Sequence, residues 1–331
     1  MMRMLEEFWR RHTSDEFRRC VFELRCAVDP FLRIRRSKMR KAALAANLPY
    51  ETGLMRDIPV VRDMEYTLRY ILENKMSVVR FGDGELKMID GGKMVFQDFD
   101  VELASRLKEI LADGNPPCLV CLPQVFGTLE SYTDVERDYW RGVLPWCRRV
   151  VANNAAARYF DGSLWFGDAQ ISRAYLRFRD KNRAVRVFEL WKKLFAGRDV
   201  FIVEGRYTRI GVGNDLLSSA RSTRRIWCPP TGAFSRYGEI LAQVLKYAKR
   251  GDLILISLGA TASVLAYDLA RQGYQAIDSG QVDLEYIWMK MGVRKLTAVV
   301  GRYVSEGVGR SREMVDIPGE IEDNHVLSII A

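Results

Sequence analysis

Two carboxylates one residue apart, Asp83 and Glu85, stand between and after two glycines in the stretch Arg80-Phe-Gly-Asp-Gly-Glu85. Gly82 and Gly84 permit a tight turn and close approach of the backbone to a ligand. A D-x-E pair at a strand end can hold a hard divalent cation, Mg²⁺ or Mn²⁺, that bridges the oxygens of a diphosphate. Arg80 can pair with the same phosphates. Read alone, Gly-Asp-Gly is also an ordinary turn.

Three later loops carry chemistry of a related kind. Glu204-Gly-Arg-Tyr-Thr-Arg-Ile-Gly-Val-Gly-Asn-Asp-Leu216 holds a glycine-rich turn, Gly211 to Gly213, leading through Asn214 toward an apolar run. Leu216 occupies the position of a third glycine, so the pattern is not G-x-G-x-x-G and disfavours a nicotinamide dinucleotide. Glu204 at the end of an apolar strand needs a partner, either a ligand or a nearby Arg206 or Arg209. Ser257-Leu-Gly-Ala-Thr-Ala-Ser263 passes from a strand through Gly259 toward a helix, where free N–H groups and the Thr261 hydroxyl suit an anion or a plain cap. Asp278, Asp283 and Glu285 cluster after another strand, placed to take a proton from a sugar hydroxyl or to orient it, unless they are surface turn acids. The chain's two histidines, His12 and His325, lie near its ends. They support neither a histidine triad nor a histidine metal site, which leaves carboxylates, metal and arginines to run the chemistry.

The elements that must position these loops alternate. Short apolar runs at 77–81, 118–122, 149–152, 199–203, 225–228, 253–258, 274–277 and 296–300 read as buried strands. Amphipathic stretches at 101–111, 237–249 and 262–271 read as helices, the last two followed by Gly251 and Gly273. The expected fold class is α/β: a Rossmann-like, mostly parallel sheet with helices on both faces, plus an N-terminal helical extension. In such sheets ligands sit beyond the carboxyl ends of the strands. The expected organisation is a basic helical extension over 1–60, a catalytic domain over 61–305 and a C-terminal tail over 306–331.

The 331 residues are 48% hydrophobic and 28% charged, a globular balance, and carry a formal net charge of +9. That surplus suits an acidic partner or serves solubility alone. The basic run Arg33-Ile-Arg-Arg-Ser-Lys-Met-Arg-Lys41 reads as a peripheral contact with anionic lipid headgroups or as a solvated or packed helix. Six cysteines make no disulfide scaffold, and Cys118 and Cys121 would point to opposite faces of one strand. No apolar run reaches the roughly 20 residues of a membrane span, and the N-terminus lacks a secretory h-region, so the expected location is the cytoplasm.

Together, Arg80–Glu85, Ile171–Tyr175, Val203–Leu216, Ser257–Leu269 and Gly273–Trp288 resemble, in order, the GT-D glycosyltransferases, over about residues 60–300. The resemblance implies a Rossmann-like domain that binds a UDP-sugar with a divalent metal at Asp83 and Glu85. It implies transfer of a hexose to a glycan or lipid-linked glycan acceptor in bacterial surface polysaccharide or glycoprotein assembly. Arg80 and Arg173 become candidates for the diphosphate. Gly82, Gly84, Glu204, Arg209, Gly211, Gly213, Asn214, Gly259 and Thr261 become candidates for the nucleotide-sugar site. The sequence departs from the pattern at Gln281, where many relatives carry histidine, and at Ala260, where proline is expected. If that histidine is the base or a ligand, Gln281, itself among the catalytic candidates, cannot replace its proton transfer, and the role passes to Asp278, Asp283 or Glu285. The rival reading is a non-catalytic sugar-nucleotide or glycan-binding module. Nucleic-acid binding is disfavoured because no recognisable module accompanies the positive charge.

Overall fold

The structure is a computed structural model, and it describes residues 59–303 and 325–330. The basic run at 33–41, His12 and nearly all of the expected N-terminal extension lie outside the described residues.

Eight strands form one sheet in which every pairing is parallel. They are β1 Val78–Arg80, β2 Leu119–Leu122, β3 Gly167–Asp168, β4 Asp199–Gly205, β5 Ser222–Cys228, β6 Leu253–Ser257, β7 Gln275–Asp278 and β8 Val326–Ile329. Their order is β3-β2-β1-β7-β6-β4-β5-β8. A parallel sheet covered on both faces needs strands that are apolar throughout. The run Leu253-Ile-Leu-Ile256 meets this requirement, with all four side chains fully buried.

Around the sheet run α1 Met64–Asn74, α2 Asp83–Ile89, α3 Val101–Ala112, α4 Asp134–Asn154, α5 Lys181–Phe195, α6 Tyr237–Tyr247, α7 Ala260–Arg271 and α8 Val282–Met291. Capping carboxylates start several of them: Asp63 accepts from the Tyr66 amide at 2.8 Å and Asp100 from the Leu103 amide at 2.9 Å. Helix α7 packs against β1, β6 and β7 and buries nearly its whole length, which fixes the centre of the sheet. Among the described residues no helix is long and apolar enough to cross a membrane.

Three expectations change. Residues 149–152 belong to α4 rather than to a strand, because Trp140, Leu144, Cys147 and Val151 share one buried helical face. Residues 296–300 form no strand; Leu296 and Val300 are exposed and lack a partner in the sheet. The expected tail contributes β8, which pairs with β5 at the sheet's outer edge.

The chain steps from β1 to β2 to β3 on one side and builds β4, β5 and β6 on the other. Strand β7 then returns between β6 and β1. Such a reversal leaves a crevice beyond the strand ends, and the loops after β1, β6 and β7 open into it.

Candidate active site

A single cleft at the carboxyl ends of the strands gathers the loop after β1, the turn Ala169–Ser172, the Pro229–Ala233 loop and the starts of α7 and α8. Gly82, Gly259 and Gln281, which immediately precede α2, α7 and α8, all line it. Three helix N-termini therefore open on one space, a setting that favours an anion. Lys87, Lys93, Arg173 and Arg177 add cations to the same lining.

Asp83 and Glu85 both line the cleft, but in the first turn of α2 rather than on a free loop. Residues i and i+2 of a helix do not face each other, so the two carboxylates take different partners. Asp83 Oδ2 accepts from the Tyr139 hydroxyl on α4. Glu85 Oε2 turns back to accept from the Gly82 amide at 2.8 Å. Burial, and secondarily the Asp278 charge, push the Glu85 carboxyl above its ordinary range; the Gly82 amide and Arg80 oppose that rise.

Among the described residues no three His, Cys, Asp or Glu side chains assemble a complete metal cage. Mg²⁺ and Mn²⁺ do not need one: Mg²⁺ in particular is held by one or two carboxylates with the rest of its shell from phosphate and water. Glu85 lies near a second acid, and a cation beside it would favour its ionised form. The donor set fits a hard divalent ion completed by a diphosphate.

Arg80 lines the cleft, yet four hydrogen bonds tie its guanidinium into the frame. Nε donates to the Asp278 carbonyl at 2.8 Å and Nη2 to Asp278 Oδ1 at 2.7 Å, while Nη1 donates to the Ala169 carbonyl at 3.2 Å and Ser172 Oγ at 2.6 Å. Gly280 lies against the same group: a Cβ there would come within 2.1 Å of Nη2. Arg80 thus joins β1, β7 and the Ala169–Ser172 turn.

The acids expected to supply a base are spoken for. Asp278 is buried, with Oδ1 accepting from Arg80 and the Gly280 amide and Oδ2 from Ser263 Oγ. Glu285 lies away from the cleft lining and accepts from the Tyr175 and Leu176 amides, both at 2.9 Å; burial raises its pKa. Asp283 alone of the three lines the cleft. Its Oδ1 accepts from the Gly211 amide at 2.8 Å and Asn214 Nδ2 at 2.7 Å, and its Oδ2 from Arg302 Nε at 2.9 Å. The Asp283 carboxylate thereby positions Arg302, another cleft residue.

The Gly211–Asn214 turn stands behind Asp283 rather than in the cleft lining, and Gly213 with it. Glu204 is fully buried and pairs with Arg225 Nη1 at 2.5 Å across β4 and β5, not with Arg206 or Arg209; it also accepts from the Ile210 amide at 2.7 Å. Burial raises its pKa against the pull of Arg225. Arg209 is buried and donates to the Gly301 carbonyl. Thr261 is wholly buried with an unpartnered hydroxyl and does not line the cleft, whereas Gly259 does. Arg173 and Gln281 line it as expected. Cys118 and Cys121 are buried free thiols, both raised in pKa by burial.

Sequence reasoning missed Trp140, Gln170, Phe96, Pro230, Arg302 and Tyr303, which complete the cleft. Aromatic and proline residues in apolar surroundings read as core, and only packing brings them to the site.

The family described as Glycosyltransferase GT-D fold matches residues 78–307. Glycosyltransferase GlyD of Streptococcus pneumoniae serotype 4 is 38% identical over 255 residues, covering 76% of this chain and 30% of its own length. The probable glycosyl transferase Gly of Streptococcus gordonii is 38% identical over 249 residues, covering 74% of this chain and 35% of its own. The chain thus spans about a third of the length of these curated relatives. Among solved structures, one described as a domain of unknown function with a distinct glycosyltransferase fold superposes with a TM-score of 0.76 at 36% identity, covering 83% of this chain and 97% of that one. A second, a new glycosyltransferase from Streptococcus sanguinis, has a TM-score of 0.76 at 37% identity, covering 82% of this chain and all of that one (100%).

Proposed function

The chain belongs to the GT-D glycosyltransferase family, and from that premise we propose that it moves a hexose from a UDP-sugar to a glycan acceptor. The observation that carries this reading is the meeting of Asp83, Glu85 and three helix N-termini in one cleft. Fixed N–H dipoles favour a diphosphate, and two carboxylates lining the same cleft favour a divalent cation beside it. Asp83 and Glu85 would hold the ion, which when bound neutralises charge on the departing nucleotide diphosphate.

The chain's own residues supply the remainder. Arg80 and Asp278 lock the loop after β1 against the loop after β7, so the acids and the start of α8 keep one spacing. Asp283 orients Arg302 toward the same space. Gln281 has no titrating group and serves as a hydrogen-bonding residue, not a base. The acceptor fitting this chemistry is a free or lipid-linked glycan of bacterial surface polysaccharide or glycoprotein assembly, handled on the cytoplasmic side. Peripheral membrane contact through residues 33–41 is part of the same reading.

Calorimetry with UDP, with Mn²⁺ present or chelated, tests the site. Wild-type protein should bind UDP more tightly with Mn²⁺, and Asp83→Ala should lose that gain. Metal-independent or absent UDP binding by the wild type overturns the assignment. Donor binding without UDP release in the presence of glycan acceptors would instead favour a non-catalytic binding module.

A further inference from the structure

Buried polar atoms in folded proteins are nearly always paired, and one left alone is destabilising. Three such atoms belong to side chains lining the same cleft: Gln170 Oε1, Gln281 Oε1 and Trp140 Nε1. Gln170 is 5% exposed and Trp140 2%, so bulk water does not relieve them.

Their placement is as telling as their number. Gln170 sits in the turn whose Ala169 carbonyl and Ser172 hydroxyl accept from Arg80. Gln281 follows Gly280, which lies against the same Arg80 guanidinium and beside Ser172 of that turn. Both glutamines thus follow or sit in segments packed on Arg80, and both line the cleft. Trp140 follows Tyr139, whose hydroxyl donates to Asp83. All three are neighbours of the loop assigned to the diphosphate, and a sugar is covalently joined to that diphosphate.

We propose that Gln170, Gln281 and Trp140 form the pocket that reads the hydroxyls of the donor's sugar ring. A hydroxyl both donates and accepts, so it satisfies an amide oxygen and an indole N–H alike. The amide N and O of glutamine can exchange places by a flip, and either orientation leaves an uncharged group for a hydroxyl to meet. A site built to bond hydroxyls discriminates strongly against ligands that lack them, because its own groups are then left unpaired. The inference rests on the donor reading above.

The test compares UDP with UDP-hexoses, choosing from UDP-glucose, UDP-galactose and UDP-N-acetylglucosamine the one the wild type binds best in Mn²⁺. Gln170→Met and Gln281→Met remove the polar atoms at similar volume, and Trp140→Phe removes the indole N–H while keeping a smaller aromatic ring. Each should weaken the UDP-hexose about tenfold, the loss of one neutral hydrogen bond, while UDP affinity stays within about twofold. Retained UDP binding also reports an intact fold. If a variant at the deeply buried Gln170 loses UDP as well, the half-buried Gln281→Met decides. Equal losses for UDP and UDP-hexose in that variant, or no loss for either, overturn the pocket. Failure of the wild type to bind UDP at all overturns the donor reading itself, and the pocket with it.

Discussion

The Arg80 guanidinium meets the Asp278 carboxylate at 2.7 Å, joining the ends of adjacent strands from residues 198 positions apart in the chain. The pair is nearly buried, with side chains 14% and 3% exposed. Removing one partner of such a pair strands the other's charge, which costs about 3–5 kcal/mol. Asp278→Ala should lower stability by that amount in urea unfolding and should loosen UDP binding by freeing the two loops. An unchanged midpoint would show that the pair does not hold the cleft.

Glu204 and Arg225 form a second buried pair, away from the cleft lining. Glu204→Ala should cost about 3–5 kcal/mol, because it removes the Glu204 half of a buried ion pair. Replacing both, as Glu204→Gln with Arg225→Met, should cost less than the sum of the single changes. A double-mutant cycle by chemical denaturation measures the difference, and strict additivity would refute the coupling.

Gly259 precedes α7 at φ +56°, and a Cβ there would lie 2.1 Å from Phe96 Cε2. Gly259→Ala must displace that ring and strain the backbone, at about 1–3 kcal/mol. Because Phe96 and Gly259 both line the cleft, UDP affinity should fall along with the thermal midpoint. Phe96→Leu in the same background should restore part of the stability.

Asp168 is fully buried, and burial pushes its carboxyl up to about 7. Between about pH 4 and pH 7 the folded chain keeps a proton there that the unfolded chain releases. Stability from this group therefore falls as pH rises through that window and levels off above it. Asp168→Asn lacks the titration, so its stability relative to wild type should improve from pH 4 to pH 8, by up to about 4 kcal/mol. Denaturation series at the two pH values measure the shift; a constant gap would contradict it.

The sheet was legible where apolar runs were bounded by glycines and polar turns, as at Leu253–Ser257 and Gln275–Asp278. It was misread at Val150 and Val151, whose branched pair resembles a strand but continues a helical face begun at Trp140. Strand β8 escaped notice because its four residues alternate between partial burial and exposure and take their partner from β5, far back in the chain. The loop after β1 was legible as a turn at a strand end because Gly82 and Gly84 mark it, whereas the place of Asp83 and Glu85 in the first turn of α2 was not. Glu204 was not, because its partner Arg225 is supplied by the next strand and can be found only once the register of β4 and β5 is known. Gln170 and Trp140 carry no local signal; what marks them is the missing partner, a property of packing.

The placement of β7 beside β1 also sets a schedule. A ribosome adds roughly 5–20 residues per second, so on the order of 10–40 s separate the synthesis of Arg80 from that of Asp278. Through that interval the nascent β1 can pair with β2, once that strand is made, but not with β7, and its arginine lacks the Asp278 carboxylate. The cleft is thus among the last parts of the described fold that can close, and a chain released before residue 278 carries the acids of the first loop without the carboxylate that ties Arg80 to the loop after β7.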